Sequence, residues 1–299
     1  MKFRTTIMVA LVAIAFSTIG TGTAFSWTKS PAPLRVMSFN IRYNTPADGE
    51  NAWPHRKDIA ASMIRFHRAD VVGLQEALLG QNQDLAERLP EYDWLGVGRE
   101  DGKTKGEFSS IFYSRDRLEL LQHDTFWLSS NPEEVGSMGW DAACRRIVTW
   151  AKFRDRRTDQ IFYHFNTHFD HRGEKARRES AKLLLANVQE IAGRAASVIT
   201  GDFNCTPDSK PYRILTESEK HEPLNDAHSI SVAAHHGPTG TFSGFSKPGR
   251  PGHRIDYVFV TPGAKVLQHG VLADNWDGRY PSDHLPVLAE VKIAPEEKP

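Results

Sequence analysis

The stretch Ser197-Val-Ile-Thr-Gly-Asp-Phe-Asn204 decides how the rest of the chain is read. Ser197 to Asp202 is a short run rich in β-branched residues, the pattern of a strand. It ends in a carboxylate and an amide, Asp202 and Asn204, two positions apart. If the backbone there is still extended, both side chains point to one side. Such a pair can hold one water or one phosphate oxygen. The same residues also suit an Asx-turn that merely closes a strand, and alone they would mean no more than that.

Other runs end in the same manner. Leu34 to Ile41 carries Ser38-Phe-Asn40, Asp70 to Glu76 ends in Gln75-Glu76, and Ile161 to His168 ends in Asn166-Thr-His168. Further strand-like runs are Ser109 to Tyr113, Ile147 to Phe153, Ile255 to Val260 and Val287 to Ile293. Helical spacing of apolar residues appears over Pro54 to His67 and over Gly173 to Gly193. The order lacks the strict strand–helix alternation of a parallel barrel. It predicts an α/β chain with two sheets packed together and helices outside. Four strand ends carrying metal- and phosphate-binding residue types point to one shared site.

The chain has 299 residues, with 37 Lys plus Arg balanced by 37 Asp plus Glu, and a pI near 7.2. That balance argues against a surface built to neutralise long nucleic acid. It leaves room for a local phosphate site. No repeat or composition break divides residues 34–293, which read as one domain. Residues 1–26 differ. Lys2 and Arg4 precede an apolar run from Ile7 to Ile19, and Ala24-Phe25-Ser26 has the small-x-small form of a cleavage site. This order predicts a signal peptide over 1–26 and a secreted or periplasmic protein. Cys144 and Cys205 are the only cysteines, too few for a disulfide scaffold. An oxidising compartment would permit them to pair, and sequence does not measure their separation.

Ser38-Phe-Asn-Ile-Arg42, Leu74-Gln-Glu76, Asn166-Thr-His168, Gly201-Asp-Phe-Asn204, Arg254-Ile-Asp-Tyr257 and Ser282-Asp-His-Leu-Pro286 occur in this order across residues 34–293. Together they resemble the endonuclease/exonuclease/phosphatase superfamily, which includes DNase I-like nucleases, inositol polyphosphate 5-phosphatases and bacterial sphingomyelinases. The resemblance implies a four-layer α/β sandwich, two packed mixed β-sheets flanked by helices. It also implies metal-dependent phosphoester hydrolysis.

The residue chemistry agrees with that implication. Hydrolysis of a phosphoester needs an oriented water and neutralisation of phosphoryl charge. Mg²⁺ (Mn²⁺ is also possible) prefers oxygen ligands and keeps several waters, so one or two carboxylates suffice. Glu76 is the first candidate ligand, with the amide oxygen of Asn40 beside it and Asp283 as a further contact. Asp202 is the candidate to orient or deprotonate the attacking water, and Asn204 to position it. Asp256 and His284 form a carboxylate–imidazole pair that would favour a cationic imidazole. That cation could stabilise transition-state charge. The resemblance assigns His168 to the scissile phosphate and Asp256 as the partner of His284. Arg146 and Asn166 are the candidate substrate contacts. Thirteen histidines raise zinc as a rival. However, His164 and His168 stand four apart on a strand pattern, too far to share an ion. No Cys-x-x-Cys is present either, and His171, His235, His236 and His253 read as surface or loop residues.

The expected function is an exported, Mg²⁺-dependent hydrolase acting on a phosphomonoester or phosphodiester. The substrate would be a small molecule, a lipid headgroup or nucleic acid. An extracellular DNase I-like endonuclease is the alternative. No stable protein partner is expected, and the chain is expected to be a monomer. A catalytically silent binding module on the same scaffold is disfavoured, because Glu76, Asp202, Asp256 and His284 are all present.

Overall fold

The apolar runs become strands, and the strands sort into two six-stranded sheets. The structure is a computed structural model in which residues 33–245 and 253–293 are described. The first half of the chain contains β1 (Leu34–Asn40), α1 (Lys57–Phe66), β2 (Val71–Gln75), α2 (Leu79–Arg88), β3 (Tyr92–Leu95) and β4 (Ile111–Ser114). The middle contains β5 (Leu118–Trp127), β6 (Ile147–Asp155), β7 (Gln160–His168), α3 (Glu174–Ala192) and β8 (Ser197–Asp202). Then come α4 (Lys210–Thr216), β9 (Asn225–Asp226), α5 (Ala227–Ile230), β10 (Asp256–Val260), β11 (Ala264–Val271) and β12 (Val287–Ile293).

One sheet has the order β11-β12-β1-β2-β4-β3, the other β5-β6-β7-β8-β10-β9. Both are mixed. The only parallel pair in each is central, β1 with β2 and β7 with β8, and each is joined by a helix, α1 or α3. A βαβ unit carries its two strands in the same direction. The C-terminal ends of β1 and β2, and those of β7 and β8, therefore emerge side by side. The sheets pack so that β1 lies against β8 and β10, and β2 against β7 and β8. All four ends thus open at one edge of the sandwich.

Alternation along each strand builds the layers. In β1, Val36 faces the other sheet while Met37 and Phe39 face the helices. Val36, Val71, Phe153, Phe162, Val198 and Val258 fill the space between the sheets. Met63 and Ile64 of α1 and Leu85 of α2 cover one outer face. Leu184, Leu185 and Val188 of α3 and Leu215 of α4 cover the other. Three apolar layers between four layers of secondary structure make the expected α/β sandwich. Between the sheets the apolar layer gives way to a polar one near the open edge. There Gly73 is required, because a Cβ would lie 2.0 Å from the Thr200 hydroxyl and 2.4 Å from the Asn166 side chain.

The helix expected over Pro54 to His67 is instead a short 3-10 turn, Trp53–His55, followed by α1, with Arg56 as the joint. The expected leader, residues 1–26, and the tail Pro295–Pro299 lie outside the described residues. Among the described residues no helix is long and apolar enough to cross a membrane.

Candidate active site

The four strand ends line a cleft of about 930 Å³. Arg42, Glu76 and Asn204 follow these ends with left-handed backbone, at φ 56°, 63° and 47°. Such values are uncommon for residues with a Cβ, and strain of this kind clusters at functional sites. Here each turn re-aims the chain just as it leaves a sheet.

Asp202 stands at the centre. It is 1% exposed. Its Oδ1 accepts the Asn204 N–H at 2.9 Å, the Asx-turn that the sequence suggests. Oδ2 then faces the site. It accepts from the Asn40 amide at 3.0 Å and lies 3.4 Å from His168 Nε2 and 3.8 Å from His284 Nε2. Closing a strand and serving a site are compatible because a carboxylate has two oxygens. Burial first, then the facing Asp256 carboxylate, push the Asp202 pKa up to about 7.

His284 Nδ1 lies 2.9 Å from Asp256 Oδ2 and 3.1 Å from its Oδ1. Burial works against charge on this imidazole, but Asp256 and then Asp202 outweigh it and hold its pKa well above the ordinary value. Phe242 packs edge-on against the ring at 5.0 Å. The expected Asp256–His284 pair is therefore formed, with the imidazolium between two carboxylates.

Glu76 accepts from the Asn40 amide at 3.1 Å and from the Tyr43 N–H at 3.1 Å. Asp283 also lines the cleft, and burial, then the Glu76 charge, raise its pKa. Ligand atoms of Glu76, Asp202 and His284 all lie within 4.8 Å of one another. Asn40 differs from expectation. Its oxygen accepts the Arg42 N–H at 2.9 Å, and its nitrogen bridges Glu76 and Asp202. Asn40 braces the two carboxylates through its nitrogen, and one lone pair of its oxygen holds the Arg42 N–H.

His168 joins the site, with Nε2 3.0 Å from the Asn204 amide nitrogen. Burial, then the Arg146 charge, hold its pKa well below the ordinary value. Arg146 is buried at the cleft wall, with Nη2 3.1 Å from His171 Nδ1 and Nε 3.6 Å from Asp170. Among the described residues its Nε and Nη1 find no hydrogen-bond partner. Asn166 does not reach the cleft. It lies two residues deeper on the His168 face and is fully buried. Its amide donates to the Leu74 and Ser110 carbonyls at 2.8 and 2.9 Å and accepts from Gln75 at 2.7 Å. It ties the two sheets together and is not placed to touch substrate. His164 lies deeper still, bonded to Thr200 at 2.8 Å.

Sequence reasoning missed Arg42, Arg99, Glu107 and Phe242, all of which line the cleft. Arg99 pairs with Glu107 at 2.7 Å, and Glu107 sits 3.8 Å from His168. Only Arg42 lies inside a motif with a signal that could have found it. Cys144 and Cys205 both line the cleft and both are free thiols.

The profile of the Endonuclease/Exonuclease/phosphatase family matches residues 37–284. The chain belongs to this family. A family protein of known structure from Bacteroides vulgatus is 45% identical, with a TM-score of 0.84 over 88% of this chain and 99% of that one. A mannosyl-6-phosphatase from Bacteroides thetaiotaomicron is 37% identical, with a TM-score of 0.82 over 87% of this chain and 100% of that one. Nocturnin of Drosophila melanogaster is 25% identical over 313 residues, which span 88% of this chain and 47% of that protein. The chain thus spans about half the length of that relative. Phosphoester hydrolysis is the activity common to this family, and the cleft carboxylates around Glu76 are the candidate metal centre.

Proposed function

We propose that this protein is an exported, divalent-metal-dependent phosphatase that removes the terminal phosphoryl group of a carbohydrate phosphate. The observation that carries the reading is Arg146. This buried guanidinium at the cleft wall has Nε 3.6 Å from Asp170 and, among the described residues, no hydrogen-bond partner for Nη1, and its fork of donors suits an anion with oxygens to spare. A terminal phosphoryl group carries more charge than a diester and has one end free to enter a buried recess. The mannosyl-6-phosphatase relative, covered over its whole length, supports a sugar as the leaving group. The balanced charge of the chain also favours a small substrate over a nucleic-acid strand. The leader-like order of residues 1–26 supports export.

The donor set fits a hard cation. Burial and mutual repulsion raise the Asp202 and Asp283 carboxyls, and a divalent ion beside them would relieve that repulsion. Glu76 would hold it, with Asp283 within the same cleft, and Mg²⁺ is the ion that such oxygens select. When bound, the cation supplies charge neutralisation for the phosphoryl oxygens.

The protein's own groups do the rest. Asp202 Oδ2 accepts the proton of the attacking water as its oxygen bonds to phosphorus; the P–O bond to the sugar breaks, and the departing oxygen takes a proton from the solvent that fills the cleft. Asn204 and Asn40 hold that carboxylate. The His284 imidazolium, kept charged by Asp256, faces the negative charge that develops on the phosphoryl oxygens. Neutral His168 and charged Arg146 bind and orient the group being transferred.

The test is a hydrolysis panel with and without EDTA, covering mannose 6-phosphate, glucose 6-phosphate, bis-p-nitrophenyl phosphate, sphingomyelin and plasmid DNA. The reading expects release of inorganic phosphate from a sugar phosphate, abolished by EDTA. Cleavage of DNA or a diester in preference to every monoester would overturn it in favour of the extracellular endonuclease.

A further inference from the structure

Away from the cleft, three histidines that are distant in sequence converge. His228 belongs to α5, His235 to the following loop and His269 to β11. Their ring centres are 4.8 Å apart for His228 and His235, 5.1 Å for His235 and His269, and 5.3 Å for His228 and His269. Three imidazoles around one tetrahedral ion, with nitrogens about 2.0–2.1 Å from it, would have ring centres roughly 5 Å apart. His235 Nδ1 and His269 Nδ1 already face each other at 3.0 Å, close to the spacing of two ligands on such an ion. The other nitrogen of His235, Nε2, lies 3.0 Å from the Pro238 carbonyl. A bond of that kind fixes the tautomer and orientation of a ligating histidine.

The surroundings favour the ligand form. A histidine binds metal through a neutral imidazole. The nearby Arg254 guanidinium is paired with Asp226 at 2.6 Å, which offsets its repulsion of a cation. Asp226 also caps α5 through the His228 N–H at 3.0 Å. His269 is buried while His228 and His235 are half-buried, so an ion can enter from solvent. As placed, the His228 nitrogens do not converge with those of His235 and His269; the ring joins them by turning about its Cβ–Cγ bond, a soft torsion for an imidazole.

We propose that His228, His235 and His269 form a second metal site, separate from the hydrolytic cleft, that takes a nitrogen-preferring divalent cation such as Zn²⁺. None of the three lines the cleft. Nitrogen donors select Zn²⁺, Ni²⁺ or Cu²⁺, whereas the oxygens of the cleft select Mg²⁺, so the two sites separate by ion type. The bound ion would pin the α5 segment and its following loop to β11, and would stabilise the folded chain by mass action.

The test uses the full chain, stripped of metal and titrated with Zn²⁺ by calorimetry in excess Mg²⁺. One Zn²⁺ should bind despite the Mg²⁺. His235→Gln should weaken that binding at least tenfold and leave Mg²⁺-supported hydrolysis unchanged. His269→Gln should weaken it likewise. Because His269 is buried and its variant can fail to fold, half-buried His235 is the deciding position. Co²⁺ in place of Zn²⁺ should give intense tetrahedral visible bands that His235→Gln abolishes. Glu76→Gln should leave the Zn²⁺ binding intact. The proposal is overturned if no Mg²⁺-resistant Zn²⁺ binding occurs. It is equally overturned if His235→Gln binds as the parent does, or if Glu76→Gln abolishes the binding.

Discussion

Asp202 and Asp256 are direct partners across the antiparallel β8–β10 ladder, and the His284 imidazole reaches both. Two like charges opposite each other in a sheet repel, and here a third residue compensates them. Replacing Asp256 by Asn leaves the imidazolium with an amide in place of its strongest partner. Asp256→Asn should therefore lower kcat by a factor of about 10² or more, with KM changing much less. Steady-state kinetics on the folded variant checks this.

The metal requirement follows from the oxygens of Glu76 and Asp283. Activity should vanish with EDTA and return with Mg²⁺ or Mn²⁺. Glu76→Gln should lose activity at low Mg²⁺ and recover part of it at high Mg²⁺, since an amide is a weaker ligand than a carboxylate. A Mg²⁺ titration of both proteins separates lost affinity from lost chemistry.

Acid should unfold the protein through His164. This ring is fully buried, and burial holds its pKa down at about 3 against an ordinary 6.5. Between those values the unfolded chain binds a proton that the folded chain does not. Stability is therefore complete above about pH 6.5 and falls as pH is lowered towards 3. His164→Gln, which can still bond to Thr200, should flatten the dependence of the urea midpoint on pH between 7 and 4. An unchanged slope would remove His164 from the account.

Arg56 is buried yet, among the described residues, pairs with no carboxylate. It donates to the carbonyls of Asn51, Ile41, Arg42 and Pro281. It thereby ties the exit of β1, which carries Asn40 and Arg42, to the segment leading into Asp283 and His284. Arg56→Met would leave those carbonyls buried without donors, at about 1–3 kcal/mol each. A clear loss of Tm is expected, with a fall in kcat among the molecules that remain folded. Differential scanning calorimetry and kinetics on the same preparation test both parts.

Much of this was legible in the sequence, for identifiable reasons. Ser197–Asp202 was readable to the residue because its apolar run stops at a polar boundary, and Val287–Ile293 because its alternating pattern lies between Pro286 and Pro295. Strand β5 was not, because its middle residues are exposed and lack an apolar pattern. Helix α2 was hidden by Gly80 and a run of polar residues, and the two-residue strand β9 is too short to have a pattern. In the site, His168, Asp202 and Asp256 were readable because each closes or opens a strand, and Asn204 and His284 because each stands within three residues of one. Asn166 misled because alternation gives the same face to His168 and to a residue two positions deeper. The sequence cannot show depth. Arg99 and Glu107 come from a loop with no motif, and only the tertiary fold brings them to the cleft. The three converging histidines are invisible for the same reason.

The central claim is that Asp202 prepares the attacking water beside the His284 cation. The most direct test is kcat of Asp202→Asn at saturating Mg²⁺, measured with Tm on the same preparation. The variant keeps the Asn204 turn bond, since an amide oxygen also accepts an N–H, but it cannot take a proton. The account predicts that kcat falls by about 10² or more while Tm stays within a few degrees of the parent. An unchanged kcat in the folded protein, with Tm lowered, would make Asp202 a turn residue and contradict the mechanism.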